Sequence, residues 1–422
     1  MRGLPHVVWS VFERPVSYAR LFTSAGVSPL KLSDRVQRIK PSPTLAVTAR
    51  AAELRRQGKD IIGLGAGEPD FPTPAHVRAA GKSAIDDGFT RYTAVGGTPE
   101  LKDAICAKFQ RDNALSYTPE QILVSCGGKQ SFFNLCQAMI DDGDEVIIPA
   151  PYWVSYPDMV LLAGGKPVVI ETGMDAAFKI TPEQLEAAIT PKTRLIVLNS
   201  PSNPSGKAYT QAELAALGQV LLKHPDVFVA TDDMYEHILW TDDAFANILN
   251  ATPELYERCI VLNGVSKAYA MTGWRIGYAA GPAALIKAMS KIQSQSTSNP
   301  TSISQKASEA ALNGDQDCVK EMLVAFKQRH DAVVAGLNAL PGVSCLESDG
   351  TFYAFPDMSG LIDALPEVDN DLQLGEYLIE QAGVALVPGT AFGTPGHMRL
   401  SFATDLPTLE RALERLSQVA NR

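Results

Sequence analysis

Between residues 121 and 280 short apolar runs recur seven times, with helical spacing between most of them. The runs are "QILVS" (121–125), "DEVIIPA" (144–150), "KPVVIE" (166–171), "RLIVLN" (194–199), "VFVAT" (227–231), "CIVLN" (259–263) and "IGYAA" (276–280). Helical patterns fall at 129–141, 153–163, 181–189 and 209–223. A strand with one wet face alternates apolar and polar residues. Several of these runs do not alternate, which is expected where both faces of a sheet are covered. The pattern therefore predicts an α/β fold with a mostly parallel, doubly wound sheet.

On either side the pattern changes. Helical spacing over 44–58, 75–88 and 98–113 surrounds "DIIGLGAGEPDFPTP", a short strand running into a Gly/Pro-rich loop. Beyond 282 come long helical patterns to about residue 340, then short strands in "TFYAFPD" and "HMRLSFA" and a terminal helix. The organisation expected is an extension over 1–30, an N-terminal arm and part of a small domain over 31–75, a large ligand-binding domain over 76–314, and a small C-terminal domain over 315–422. The smaller α+β unit would thus draw on both chain ends. Residues 1–30 hold three arginines, one acid (Glu13) and no long apolar run. A transit peptide has this character, but a disordered extension, of the kind an early start codon would add, is the expectation.

Composition removes several function classes. A formal net charge of −10 argues against nucleic acid or anionic membrane as partners. The six cysteines form no CxxC pair and read as reduced thiols, so a cytoplasmic location is expected. The six histidines show no metal spacing, and no metal is expected. No apolar run approaches the ~20 residues of a membrane span.

Chemistry concentrates just past the strand ends. "GLGAGEPD" fits only two positions of a dinucleotide fingerprint before Glu68 and a Pro-rich loop break it, but Gly63, Gly65 and Gly67 imply a tight turn or a closely approached ligand. In "SCGGKQSFFNL" a strand meets Gly127 and Gly128 and a helix starts, a place for a phosphate on free N–H groups; a plain strand–helix turn is the alternative. Trp153 of "PYWVSYP" is either core or a flat wall for a planar ring. Asn203 of "NSPSNPSG" is a turn signal that also lies at the strand edge. Asp232 of "TDDMYEH" is either an N-cap or a ligand group, with Tyr235 beside it. "GVSKAYAMTGWRIGY" places one lysine, Lys267, and one arginine, Arg275, in a segment that reads as buried. Isolated buried cations are costly, so they are expected to face a ligand. Arg399 in the alternating strand "GHMRLSFAT" calls for an anionic partner such as a carboxylate. Together these describe a planar, phosphorylated aldehyde cofactor held on a lysine.

With "AGEPDFPTP", "RYTAVGGTPELK", "GGKQ", "PYWVSYP", "NSPSNPSG", "DDMYEH", "SKAYAMTGWRIGY" and "HMRLSFAT" in order, the chain from about Leu30 onward resembles the fold-type I pyridoxal-phosphate aminotransferases. The likeness is nearest to bacterial aspartate aminotransferases of subgroup I-beta, some of which accept prephenate. The resemblance implies that Lys267 links to pyridoxal 5'-phosphate and then carries the proton between substrate Cα and cofactor. It implies that Arg275, the backbone of Gly127 and Gly128, and Tyr92 of a partner subunit hold the phosphate. Trp153 would stack on the ring, Asp232 would pair with its N–H, and Asn203 and Tyr235 would bond its phenolic oxygen. Arg399, Asn203 and the backbone near Gly67 would hold the substrate α-carboxylate. Lys129 stands where a small hydroxyl residue is familiar in the animal-type branch, and "KIQSQSTSNP" supplies no arginine of the kind that branch uses. Lys129 is therefore the candidate for the second carboxylate.

The expectation is a homodimeric, cytoplasmic enzyme that moves the amino group of aspartate to 2-oxoglutarate by a ping-pong mechanism. Alternatives are prephenate or aromatic specificity, a β-lyase or decarboxylase on the same cofactor, and a non-enzymatic cofactor-binding regulator. The intact Lys267 and the absence of a basic DNA-binding region speak against the last.

Overall fold

The computed structural model describes residues 30–422, so the expectation for the extension lies, but for Leu30, outside the described residues. After a short strand β1 (Ile62–Gly63), all seven expected core strands form: β2 (Ile122–Ser125), β3 (Glu145–Pro149), β4 (Lys166–Ile170), β5 (Thr193–Asn199), β6 (Phe228–Asp232), β7 (Cys259–Gly264) and β8 (Gly277–Ala280). They make one sheet in the order β2-β8-β7-β6-β5-β3-β4. Six strands run the same way, and only β8 opposes both of its neighbours, β2 and β7. This is the mostly parallel, doubly wound architecture expected.

The unbroken apolar runs are explained by two cores. Val124, Ile147, Ile196, Leu198, Val229 and Val261 enter one cluster. Their chain neighbours Leu123, Val146, Ile148, Leu195, Val197, Ala230 and Ile260 enter another on the opposite face. Every position of a strand covered on both faces must be apolar. Strand β4 differs because it is the sheet edge: Val169 is 41% exposed and Pro167, which cannot donate to a ladder, is tolerated there.

A third cluster gathers strands β9 (Tyr353–Ala354), β10 (Val384–Ala385) and β12 (Met398–Ser401) with the helices Asp317–Asn338, Asp371–Gln381 and Leu406–Ala420, while Val387 of strand β11 (Val387–Pro388) packs with Phe178, Phe355 and Phe392. Strands β11, β12 and β9 form a three-stranded antiparallel sheet, and β1 pairs with β10 in parallel, joining the early segment to the end of the chain.

One helix starts later than the sequence pattern suggested. The pattern over 153–163 is helical only from Tyr156 to Ala163. Pro157 lacks an N–H and fits only the first turn; a start at 153 would put its ring against a carbonyl one turn back. Trp153 is thereby left in the loop after β3. Among the described residues no helix is long and apolar enough to cross a membrane.

Candidate active site

The carboxyl ends of β2, β3, β5, β6 and β7 face one crevice, where open parallel sheets bind ligands. From β7 the chain runs through Gly264 to Lys267, whose amine donates to the carbonyl of Gly67. From β6 comes Asp232. Its carboxylate accepts the Tyr156 hydroxyl at 2.5 Å and the Met234 N–H at 3.3 Å. From β5 comes Asn203, whose N–H bonds the Asn199 side chain at 2.9 Å. Strand β12 brings Arg399, only 2% exposed, to meet it: one nitrogen donates to the Asn203 side chain at 2.9 Å and another to the Gly65 carbonyl at 2.7 Å. Tyr235 is buried with its hydroxyl 2.9 Å from that of Tyr353. Lys267, Asp232, Asn203, Arg399, Tyr235 and Gly67 are thus one contiguous group.

A second group lies at the start of the helix Gly128–Met139. Gly127 has φ +88°, and a Cβ there would meet the Arg275 guanidinium 2.4 Å away. A Cβ on Gly277 would lie 2.2 Å from the Gly128 nitrogen, so strand β8 can approach this turn only as glycine. The first N–H groups of the helix have no partner within it and carry its positive dipole end. Arg275, in the left-handed conformation at φ +58°, donates to the carbonyls of Thr272 and Cys126, each at 3.0 Å. Lys129 reaches over the Trp153 ring, 5.1 Å from its centre.

One sequence expectation is corrected here. Arg275 is exposed, its left-handed backbone setting the side chain along the 126–127 turn, whereas Lys267 is half-buried. Tyr92, expected to act from a partner subunit, is 93% exposed and among the described residues bonds no site residue of its own chain.

The electrostatics are lopsided. Among the described residues, Lys129, Lys267, Arg275 and Arg399 pair with no carboxylate, and the buried Nε of Arg399 has no acceptor. Burial, with repulsion from Arg399 and Arg275, lowers the Lys267 amine to about 8 against the pull of Glu68 and Asp232. Burial also holds Asp232 above the ordinary carboxylate range although Tyr156 donates to it. That position favours a partner that brings its own proton, such as a pyridinium N–H. A glycine-lined helix start beside an arginine, an indole at the wall, a raised aspartate and a lysine of lowered basicity suit a phosphorylated pyridine aldehyde. The residues fit the group that the sequence motifs imply. Among the described residues no cluster of His, Cys, Asp and Glu could hold a metal.

Because the free amine is the nucleophile, trapping of Lys267 in the apoprotein by a small neutral aldehyde and cyanoborohydride should rise with pH and level off above about 8. Peptide mapping of the modified lysine gives the profile. A rise that continues to the ordinary 10.5 would show that the amine is not desolvated.

Three residues were not read from the sequence as functional. Tyr156 holds Asp232, Tyr353 holds Tyr235 and lies under the Arg399 guanidinium at 4.5 Å, and Ser266, buried beside Lys267, donates to the Met234 thioether at 3.3 Å. Tyr156, three residues after Trp153 in "PYWVSYP", gave the only local signal.

Comparison with known proteins places the chain among relatives. Residues 59–416 match the family model described as aminotransferase class I and II. An aspartate/prephenate aminotransferase of Nitrosomonas europaea is 61% identical over 92% of this chain and 100% of its own. One from Cereibacter sphaeroides is 55% identical over 91% and 97%. The crystal structure of the aspartate aminotransferase from Rhizobium meliloti superposes with TM-score 0.90 at 50% identity, covering 93% of this chain and 100% of that one. The aspartate aminotransferase of Thermus thermophilus with maleate gives 0.87 at 45%, with the same coverage.

Proposed function

The chain belongs to the class I and II aminotransferases, and on that premise we propose the roles of its site residues in moving the amino group of aspartate to 2-oxoglutarate by a ping-pong mechanism. The observation that carries this reading is Arg399: a buried guanidinium with an unpartnered Nε, no acid beside it, and Lys267 close enough to feel its charge. A guanidinium so placed calls for a carboxylate, gripped by two nitrogens.

The cofactor is pyridoxal 5'-phosphate, which when bound supplies an aldehyde for the amine and a ring that draws electrons from Cα. Gly127, Gly128 and Arg275 hold its phosphate, joined by Tyr92 of a second copy in a homodimer. Trp153 stacks on the ring. Asp232 holds the proton on the ring nitrogen, and Asn203 and Tyr235 bond the phenolic oxygen. Arg399, Asn203 and the backbone near Gly67 orient the substrate so that its Cα proton faces the Lys267 amine. Lys267 then takes that proton as base and returns it as acid. Holoenzyme mixed with aspartate alone should release one oxaloacetate per site, and 2-oxoglutarate added afterwards should release glutamate. Oxaloacetate that forms only when both substrates are present would rule out ping-pong.

Lys129 is the proposed cation for the second carboxylate, reaching past the cofactor from the helix start. Lys129→Ala should lose about 1.5–3 kcal/mol of kcat/KM with aspartate and little with alanine or phenylalanine. Equal losses for acidic and neutral donors would make Lys129 a cofactor residue instead. That the Thermus neighbour was solved with maleate, a dicarboxylate, supports a two-carboxylate site. A second reading, prephenate as amino acceptor, is favoured by the names of the Nitrosomonas and Cereibacter relatives. A flexible ammonium constrains the second carboxylate less than a guanidinium fork does. Assaying aspartate against prephenate and 2-oxoglutarate in parallel ranks the two acceptors.

A further inference from the structure

Behind the residues that face the crevice runs a second, fully buried polar layer. In the segment after β6, Asp232 and Tyr235 point to the site, while Asp233 and Glu236 point the other way, into the core. Glu236 pairs with Lys108 of the helix Pro99–Asn113, the lysine being 1% exposed, and accepts from Asn113 at 2.7 Å and from Asn263 at 2.8 Å. Lys108 also donates to Asn113 at 2.7 Å. Asp233 accepts from Thr231 at 2.6 Å and from Asn247 at 2.8 Å. Asn263 lies on β7, four residues before Lys267, and accepts the N–H of Gly264 at 2.7 Å. Met234, between the two faces, fills the space that a Cβ on Gly128 would need, its methyl 2.5 Å from that point. The layer thus adjoins the cofactor cradle indirectly, through Met234 on one side and β7 on the other.

We infer that Lys108, Glu236, Asn113 and Asn263 form a positioning assembly that holds the turn presenting Asp232 and Tyr235 in register with the segment carrying Lys267. The inference rests on the roles proposed above for those three residues. Stability alone does not account for such an assembly. A buried ion pair replaced by well-fitting uncharged groups is often neutral or better for folding, whereas removing one partner is damaging. Burial raises the Glu236 carboxyl, but Lys108 and His237, with the hydrogen bonds from Asn113 and Lys108, together outweigh it and keep the carboxylate ionised, and polar groups from one helix, a turn and a strand converge on fixed positions. None of the four residues touches the crevice. Their effect would pass through the backbone of residues 232–236 and 263–267.

The test uses the holoenzyme and the double variant Lys108→Met/Glu236→Gln, which removes both charges and leaves an amide to meet Asn113 and Asn263. Asn263→Ala, which leaves the ion pair whole and removes one hydrogen bond to Glu236, is the second variant should the double one fail to fold. Three quantities are measured: melting temperature, kcat and KM for aspartate, and the affinity of apoprotein for pyridoxal phosphate by quenching of tryptophan fluorescence. The expected result is a melting temperature near wild type, an affinity for pyridoxal phosphate weakened severalfold, and a kcat lowered about 10–100-fold with KM little changed, since small misplacements are costly to catalysis. A folded variant with wild-type kcat and cofactor affinity overturns the inference. So does a loss of kcat that merely follows the melting temperature and is recovered on cooling. Wild type is assayed alongside: a wild type inactive with aspartate defeats the proposed roles, and the cofactor affinities then decide this inference on their own.

Discussion

Lys267→Ala should fold, bind pyridoxal phosphate and lose nearly all turnover. The side chain has two tasks, and no neighbour can assume either. As nucleophile it needs a free amine, which burial beside Arg399 and Arg275 provides by lowering its basicity to about 8. As base and then acid it needs reach to both sides of the substrate, which its four-carbon stem allows. Proton transfer by a positioned group is by itself worth about 10²–10⁴-fold. Loss of the covalent link adds to that, so a fall in kcat of at least that size is expected. Lys129, the other amine in the site, reaches over the face of Trp153 instead, 5.1 Å from its centre. Binding should survive because Gly127, Gly128, Arg275 and Asp232 remain. Borohydride should fix the cofactor to wild type, seen as added mass on the peptide carrying Lys267, and leave the variant unmodified. Residual kcat within tenfold of wild type would remove Lys267 from the mechanism.

The strands and the strand-edge motifs were legible because they are local. Runs such as "RLIVLN" need no partner to announce a strand covered on both faces, and the glycines at 127 and 128 mark a turn wherever the strands go. Contacts that close over long sequence distances were not legible. Arg399 donates to Gly65 across the whole chain, Tyr235 meets Tyr353, and Lys108 meets Glu236. Nothing near Lys108 in "DAICAKFQRDN" marks it as buried; on a helix it reads as an ordinary surface lysine. The apolar setting of Arg275 suggested burial that the structure does not show, its left-handed backbone setting the side chain along the 126–127 turn. The apolar spacing over 153–163 was real, but Pro157 decided where the helix could begin. For Arg275 and for the helix start near Trp153, local pattern identified the segment and tertiary geometry decided its surroundings.

Asp232→Asn should lower kcat by about 10²–10³-fold, the usual loss when one preorganised electrostatic contact to developing charge is removed. KM for aspartate should move little. The substitution changes charge and almost no shape. An asparagine oxygen can still accept the Tyr156 hydroxyl, so β6 and the helix after Trp153 should stay in place. What is lost is the negative charge opposite the ring nitrogen. In the role proposed for it, Asp232 would keep that nitrogen protonated, and its charge would count most as the Cα proton leaves. The interaction is therefore stronger in the transition state than in the bound substrate, which is why the loss falls on kcat. Asp232 is already held above the ordinary carboxylate range by burial, and the Tyr156 hydrogen bond opposes that shift. Removing the bond by Tyr156→Phe should push the carboxyl further up and free it from the orientation that the Tyr156 hydroxyl imposes, while leaving the charge available. Tyr156→Phe is thus expected to lie between wild type and Asp232→Asn in kcat, with the same unchanged KM. A deuterium isotope effect on the Cα proton should grow in both variants as that step becomes limiting. If Asp232→Asn instead raises KM with kcat intact, the carboxylate serves substrate binding and its role at the ring nitrogen is lost.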